Sequence, residues 1–172
     1  GIFKGSSQIS PDDAVQTALT FEQNGVNAIY LMATASFDLT EFCEYGNEVR
    51  RRLRPETILI ANVGDQQESG ARLLKDAGFN GVYHALRLRE GTDSDIAPDA
   101  RLRSIRAFKE AGLVVGTCVE PVGPEHSNQE LAELILFTAA HQPAFSGAAR
   151  RISIPGTTLA ERGMISELRM AQ

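Results

Sequence analysis

The chain has 172 residues, of which 42% are hydrophobic and 23% charged, and its formal net charge is -5. This size and composition predict one globular domain over residues 1–172, and the negative charge argues against a nucleic-acid partner. No apolar run approaches the roughly 20 residues that cross a bilayer, so no membrane partner is expected. The two cysteines, Cys43 and Cys118, lie far apart in the sequence, which argues against a disulfide scaffold and favours a cytoplasmic location.

Helix and strand patterns alternate along the chain. Ser10 and Pro11 are a strong helix start, because serine caps and proline fits the first helical position, and Asn24-Gly25 ends that helix. Further helices are predicted at 36–54, 66–77 and 98–111, from Ser127 to about His141, and from Leu159 onward. Short apolar strands are predicted at 28–32, 57–61, 81–85, 113–119 and 149–154.

The alternation indicates an α/β fold with a parallel sheet covered by helices. Three helix-to-strand junctions place an apolar residue directly after a glycine: Asn24-Gly25-Val26, Ala77-Gly78-Phe79 and Ala111-Gly112-Leu113. This regularity favours a partial (β/α) barrel of about five parallel strands, without the first strand and the C-terminal part. An open doubly wound sheet is the alternative, although no strand is followed by its G-x-G-x-x-G fingerprint.

The ends of the chain are typical of a piece of a longer protein. The chain begins Gly1-Ile2-Phe3 without a methionine, and it stops within a helical pattern at Gln172.

Polar side chains follow the predicted strands, on the face where β/α barrels carry their chemistry. They are Thr34 after the first strand, Asn62 after the second, Arg87 and Glu90 after the third, and Glu120 after the fourth.

Arg101 lies in the first turn of its helix, where a cation opposes the helix dipole. It is either a solvated surface arginine or a residue that binds a carboxylate with its guanidinium fork. Arg87 and Glu90 either pair with each other on a solvated loop or meet the ribose or ammonium group of a ligand.

The fourth strand carries Gly116, Cys118 and Glu120 at alternate positions, so these residues share one face. A buried Glu120 would need a partner or a ligand, whereas a hydrated Glu120 would lie in the following loop. Cys118 is either a site residue or a small buried hydrophobe. His84, at the end of the third strand, is either a core histidine or a site residue.

The segment 101–117, RLRSIRAFKEAGLVVGT, resembles the biotin-synthase-like group of radical S-adenosylmethionine enzymes. This group includes biotin synthase, a related hydrogenase-maturation enzyme and methylornithine synthase. Its ERL…(K/R)xAG helix, strand and glycine-rich loop ending in Glu are similar to Arg101-Leu102, Lys109-Glu-Ala-Gly112 and Val122-Gly-Pro-Glu125. Gly156-Thr-Thr-Leu-Ala160 is similar to the family's GTPLA segment, and Ser10-Pro-Asp-Asp13 to its first helix start. The resemblance covers nearly the whole chain.

The resemblance implies S-adenosylmethionine as cofactor, with Arg101 on its methionyl carboxylate and Glu90, or Arg87, on its amino or ribose groups. Met32-Ala33-Thr34 would meet the methionyl amine, and the strand 115–120 and Ile152 would lie along the adenine and the substrate. The implied cofactor-binding residues are Arg101, Glu90, Arg87, Met32, Ala33, Thr34, Asn62 and Ile152. Glu120 and Cys118 are the candidate catalytic residues, and no metal ligand is expected.

The chain also departs from this family. The cysteine triad CxxxCxxC is absent, so the ligands of the 4Fe–4S cluster are expected upstream of Gly1, and the isolated chain is expected to be inactive. Gly116 stands where biotin synthase has an auxiliary-cluster cysteine, which favours cofactor maturation or carbon-skeleton rearrangement over sulfur insertion. A small-molecule substrate and a reductant such as flavodoxin or ferredoxin are the implied partners.

Two other functions stay open. One is a non-catalytic β/α-barrel module that binds a small carboxylate at Arg101 or pairs its open sheet edge with another chain. The other is a β/α-barrel lyase or aldolase, for which the sequence shows no barrel-end lysine and no obvious pair of carboxylates for a metal.

Overall fold

The computed structural model describes residues 8–172. The first seven residues, Gly1–Ser7, lie outside the described residues, and they include the chain start from which a longer protein was expected. The helices are α1 (Pro11–Gln23), α2 (Leu39–Arg52), α3 (Glu68–Asp76), α4 (Pro98–Glu110), α5 (Asn128–Ala140) and α6 (Glu167–Ala171). The strands are β1 (Ala28–Met32), β2 (Ile58–Asn62), β3 (Gly81–Tyr83), β4 (Val114–Val122) and β5 (Phe145–Arg150). None of these helices combines the length and apolar character that crossing a membrane requires.

The five strands form one parallel sheet in the order β1-β2-β3-β4-β5. In the register of the sheet, Ala28 on β1 lies opposite Ile58 on β2, and Gly116 on β4 lies opposite Phe145 on β5. Sequential parallel strands joined by helices have the connectivity of a β/α barrel, whereas a doubly wound sheet reverses its order at a switch point. The predicted α/β fold with about five parallel strands is therefore confirmed, and the doubly wound alternative is wrong.

Local capping explains where several helices begin. The Ser10 side chain accepts a hydrogen bond from the backbone N–H of Asp13 at 3.1 Å, as the sequence predicted for α1. In α2 the cap is Asp38, which accepts from the N–H of Glu41 at 2.8 Å. Because a capping residue itself is not helical, the cap at Asp38 places the first helical residue of α2 at Leu39. This is three residues after the predicted start.

The last third of the chain differs most from the prediction. Strand β4 extends to Val122, so Glu120 lies within the strand and not in the following loop. Strand β5 spans 145–150, and Ile152, predicted to lie on it, follows it with 68% exposure. The helix predicted from Leu159 onward is divided into a 3-10 turn at Ala160–Arg162 and the short α6, and Gly163, with a φ of +71°, ends the 3-10 turn.

The chain divides into two compact units, which we call the amino-terminal unit (up to Tyr83, with 103–115) and the carboxyl-terminal unit (84–102, with 116–172). The core of the amino-terminal unit includes Phe79 stacked on Phe42, with ring centroids 5.4 Å apart. The smaller core of the carboxyl-terminal unit is formed by Leu88, Val119, Val122 and Leu134. Full burial of a Phe, Leu or Val side chain contributes about 1.5–3 kcal/mol of transfer free energy to folding.

Candidate functional site

A buried ion pair joins helix α4 to the loop after β3, within the carboxyl-terminal unit. The Nε of Arg101 donates to Oε1 of Glu90 at 3.1 Å, and the two residues are only 7% and 8% exposed. Oε2 of Glu90 accepts from the backbone N–H of Arg87 at 3.0 Å. Arg101 is therefore not the solvated surface arginine that the sequence left open. Its guanidinium is buried, and Glu90 supplies the counter-charge that a buried cation needs.

A third buried group, His84, lies on the other side of the Arg101 guanidinium. Its Nε2 is 3.4 Å from Nη1 of Arg101, and the residue is 3% exposed. The backbone N–H of His84 donates to the carbonyl of Gly116 at 2.9 Å, which anchors the residue to strand β4. His84, Arg101 and Glu90 thus form one buried cluster, which we call the Arg101 cluster.

The guanidinium of Arg87 pairs with Glu120 and not with Glu90. Its Nε lies 3.2 Å from Oε1 of Glu120, with the two side chains 48% and 18% exposed. The solvated Arg87–Glu90 pair considered from the sequence is therefore wrong. Cys118 lies two residues before Glu120 on β4 and is 8% exposed. Glu120 has a partner within the protein, so its carboxylate is compensated in the absence of any ligand.

The remaining predicted cofactor residues lie in the amino-terminal unit, except Ile152, which follows β5. Met32 faces Asn62 in the register of β1 and β2, and the backbone N–H of Ala33 donates to the Asn62 carbonyl at 3.0 Å. The hydroxyl of Thr34 lies 3.5 Å from that of Ser36. These residues therefore gather at the carboxyl ends of two neighbouring strands, as predicted, and their contact with a cofactor stays a prediction.

Sequence analysis missed a network of ion pairs in the loops that follow β3, β4 and β5. The guanidinium of Arg151, 5% exposed, donates to both oxygens of Glu125, with Nη2 2.9 Å from Oε2. These hydrogen bonds from Arg151 hold the pKa of Glu125 at about 2, against the opposing effect of burial. Arg162 donates to Asp93 at 2.8 Å and lies 3.4 Å from Glu125.

The same network includes the start of α5. The Nε of Arg89 donates to Glu130 at 2.8 Å, and this bond, with those from Ser127, holds the pKa of Glu130 at about 2. The Ser127-x-x-Glu130 capping pattern was the only local sequence pattern that could have indicated part of this network. Its ion pairs join residues more than 25 positions apart in the sequence.

Asp93, Glu125 and His126 place one potential metal-ligand atom each within 4.8 Å of the others. The sequence had shown no such pair of carboxylates. However, Nδ1 of His126 accepts the backbone N–H of Gly123 at 2.9 Å, so the proton of the neutral ring is on Nε2. A metal needs a lone pair at the nitrogen that faces it, and both carboxylates are already paired with arginines. In this structure the two carboxylates are engaged in ion pairs with arginines, and His126 presents an N–H to them in place of a lone pair.

Comparisons with known proteins bear on the fold. No family model matches the sequence, and no curated protein matches it. Among solved structures, the chain is similar to HydG, a maturase of the FeFe hydrogenase, with a TM-score of 0.74 and 13% identity, over 97% of this chain and 41% of HydG. It is also similar to a phosphonopyruvate hydrolase in complex with oxalate and Mg²⁺, with a TM-score of 0.59 and 14% identity, over 85% of this chain and 59% of the hydrolase.

These two similarities define the class of fold, which is a parallel β/α fold like that of the two enzymes. Identities of 13% and 14% establish the fold alone. The chain spans less than two thirds of the length of either protein.

Proposed function

We propose that this chain is the central portion of a radical S-adenosylmethionine enzyme that acts on a small molecule. The observation that carries the proposal is the similarity to HydG, a hydrogenase maturase, over 97% of the chain. It agrees with the sequence resemblance to the biotin-synthase-like group, which includes a hydrogenase-maturation enzyme. When bound, the cofactor supplies a 5′-deoxyadenosyl radical that abstracts a hydrogen atom from the substrate.

The Arg101 cluster fits the amino-acid end of this cofactor. It places a buried guanidinium 3.1 Å from a buried carboxylate, and these charges complement a carboxylate and an ammonium group respectively. One oxygen of Glu90 accepts a hydrogen bond from Arg101, and the other accepts one from the backbone N–H of Arg87. Each carboxylate oxygen has a second lone pair that a ligand can use. We assign Arg101 to the methionyl carboxylate and Glu90 to the amino or ribose groups.

The cysteines of this chain do not fit an iron–sulfur cluster. Cys43 and Cys118 are both buried, and they belong to different compact units. Burial raises the pKa of Cys43 to about 11, which opposes the thiolate that iron ligation requires. Under the proposal the 4Fe–4S ligands are supplied by a CxxxCxxC segment outside residues 1–172, and the reductant is of the flavodoxin or ferredoxin type.

The surroundings of Gly116 support maturation or rearrangement over sulfur insertion. Gly116 stands where biotin synthase has a cysteine, but a Cβ there would lie 1.8 Å from Cζ of Phe145. A cysteine side chain has no room at this position without displacement of the ring. The reaction proposed is therefore one that needs no sulfur donor at this strand.

The proposal is tested with the complete gene product. Its coding sequence should carry CxxxCxxC within a few tens of residues upstream of Gly1. With the cluster reconstituted and a chemical reductant added, S-adenosylmethionine should yield 5′-deoxyadenosine by liquid chromatography and mass spectrometry. A variant with the three cysteines changed to alanine is the control. Absence of the motif, or no 5′-deoxyadenosine above that control, would overturn the proposal and leave the non-catalytic carboxylate-binding module as the alternative.

A further inference from the structure

We propose that His84 is a positioning residue that fixes the guanidinium of Arg101 in the orientation needed to bind a carboxylate. The inference rests on the proposed function and adds the group that sets the geometry of the carboxylate clamp. It starts from a buried histidine that neither the sequence resemblance nor the comparisons assign to any role.

The direction of the His84–Arg101 hydrogen bond follows from chemistry alone. A guanidinium has five N–H donors and no acceptor, so Nε2 of His84, 3.4 Å from Nη1, must be the acceptor. The neutral ring therefore carries its proton on Nδ1. Protonation of Nε2 would remove the acceptor and place a second positive charge beside the guanidinium.

Two anchors on different nitrogens define the plane of the guanidinium. Glu90 holds Nε at 3.1 Å, and His84 holds Nη1 on the other side. The hydrogen bond from Glu90 restrains rotation about the Cδ–Nε bond at one nitrogen, and the contact of His84 with Nη1 restrains it at a second. The His84 anchor is itself rigid, because its ring is buried and its backbone N–H is bonded to the Gly116 carbonyl at 2.9 Å. An orientation fixed in advance lowers the entropic cost of binding.

The first test measures the tautomer of His84 directly. Two-bond proton–nitrogen correlation spectra of the complete gene product, labelled with ¹⁵N-histidine and assigned with a His84→Gln variant, should show Nδ1 protonated and Nε2 unprotonated. An Nε2-protonated ring would overturn the inference. This readout needs no cofactor and no activity.

The second test compares two amides that replace the ring. The amide oxygen of His84→Gln reaches the place of Nε2, whereas that of His84→Asn reaches only the place of Nδ1. Calorimetry with S-adenosylmethionine should give near wild-type affinity for His84→Gln and a loss of about three- to tenfold for His84→Asn. In an Arg101→Gln background, His84→Asn should cause no further loss, because His84 acts through Arg101.

The outcomes separate the inference from the proposed function. If Arg101→Gln binds the cofactor as tightly as the wild type, the proposed function fails. If Arg101→Gln weakens binding while the two His84 amides behave alike, the positioning role of His84 is refuted. If His84→Asn does not fold, the tautomer measured in the wild-type protein decides the matter.

Discussion

At position 116 on β4, the ring of Phe145 stands where a side chain would begin. The ring of Phe145, the residue opposite on β5, occupies the space of a Cβ, which would lie 1.8 Å from its nearest atom. Strand interiors generally disfavour glycine, so a glycine there commonly marks the close approach of another group. The resemblance to biotin synthase implied a cysteine at this position, and the sequence alone did not show that Phe145 packs against the glycine found there.

We expect Gly116→Ala to lower the free energy of unfolding by up to about 1 kcal/mol, because the new methyl group must displace the ring of Phe145, which is 39% exposed and can move. Urea denaturation followed by circular dichroism measures the effect. Gly147→Ala is the matched control on the adjacent strand, since a Cβ there meets nothing within 4 Å. Equal stabilities of the two variants would show that the Phe145 ring yields without cost.

The Glu125–Arg151 pair makes stability depend on pH at the acidic end. The pKa of Glu125 is about 2 in the folded state and 4.5 without the protein environment. A depressed pKa means that the stabilisation is complete above about pH 4.5 and is lost as the pH falls towards 2.

Glu125→Gln should therefore lose about 1–2 kcal/mol of unfolding free energy at pH 7, a figure discounted for the partial exposure of the pair. The difference from the wild type should shrink between pH 4.5 and 2. Urea titrations across this range measure it. Glu167→Gln is the control, because the side chain of Glu167 is 87% exposed in its pair with Arg150 and its loss should change little. A difference that does not vary with pH would contradict the assignment.

At the scale of the element, α5 begins with a complete capping box. The hydroxyl of Ser127 accepts the N–H of Glu130 at 3.2 Å, and the Glu130 carboxylate accepts the N–H of Ser127 at 2.8 Å. Two backbone donors that a helix start leaves unpaired are thereby satisfied.

Ser127→Ala should cost about 1 kcal/mol of unfolding free energy, because the Glu130 N–H loses its acceptor. Ser127→Asp keeps an acceptor oxygen at the cap and is the matched control, with stability expected near that of the wild type. Chemical denaturation measures both variants. A cost shared equally by the two would indicate that the cap hydrogen bond contributes nothing.

Elements with a local signal were predictable from the sequence, and β5 was not. The caps at Ser10 and Ser127 specify their helix starts through neighbours three residues away. Strand β5 was predicted at 149–154 from the apolar residues of that segment. In the structure it spans 145–150, and its first four residues are exposed. Strand prediction relies on buried apolar residues, so a strand that exposes its side chains gives a weak signal.

At the scale of the whole molecule, the α/β alternation was predictable because helix and strand patterns alternate along the chain and three helix–strand junctions repeat the same glycine pattern. The candidate site was predictable only in part. The family resemblance pointed to Arg101 and Glu90, whereas their positions in the sequence left a solvated role open, and their burial and the approach of His84 depend on the fold. The network around Arg151 joins residues from three loops, and single-sequence patterns do not encode such pairings.

The most direct measurement of the central claim is the dissociation constant of the complete gene product for S-adenosylmethionine, in the wild type and in Arg101→Gln. Loss of a charge-assisted hydrogen bond predicts affinity weaker by about tenfold or more. Arg106→Gln, on an exposed position of α4, is the control and should bind as the wild type does. Equal affinity in Arg101→Gln and the wild type, or no binding by the wild type, would contradict the assignment of this chain to the radical S-adenosylmethionine enzymes.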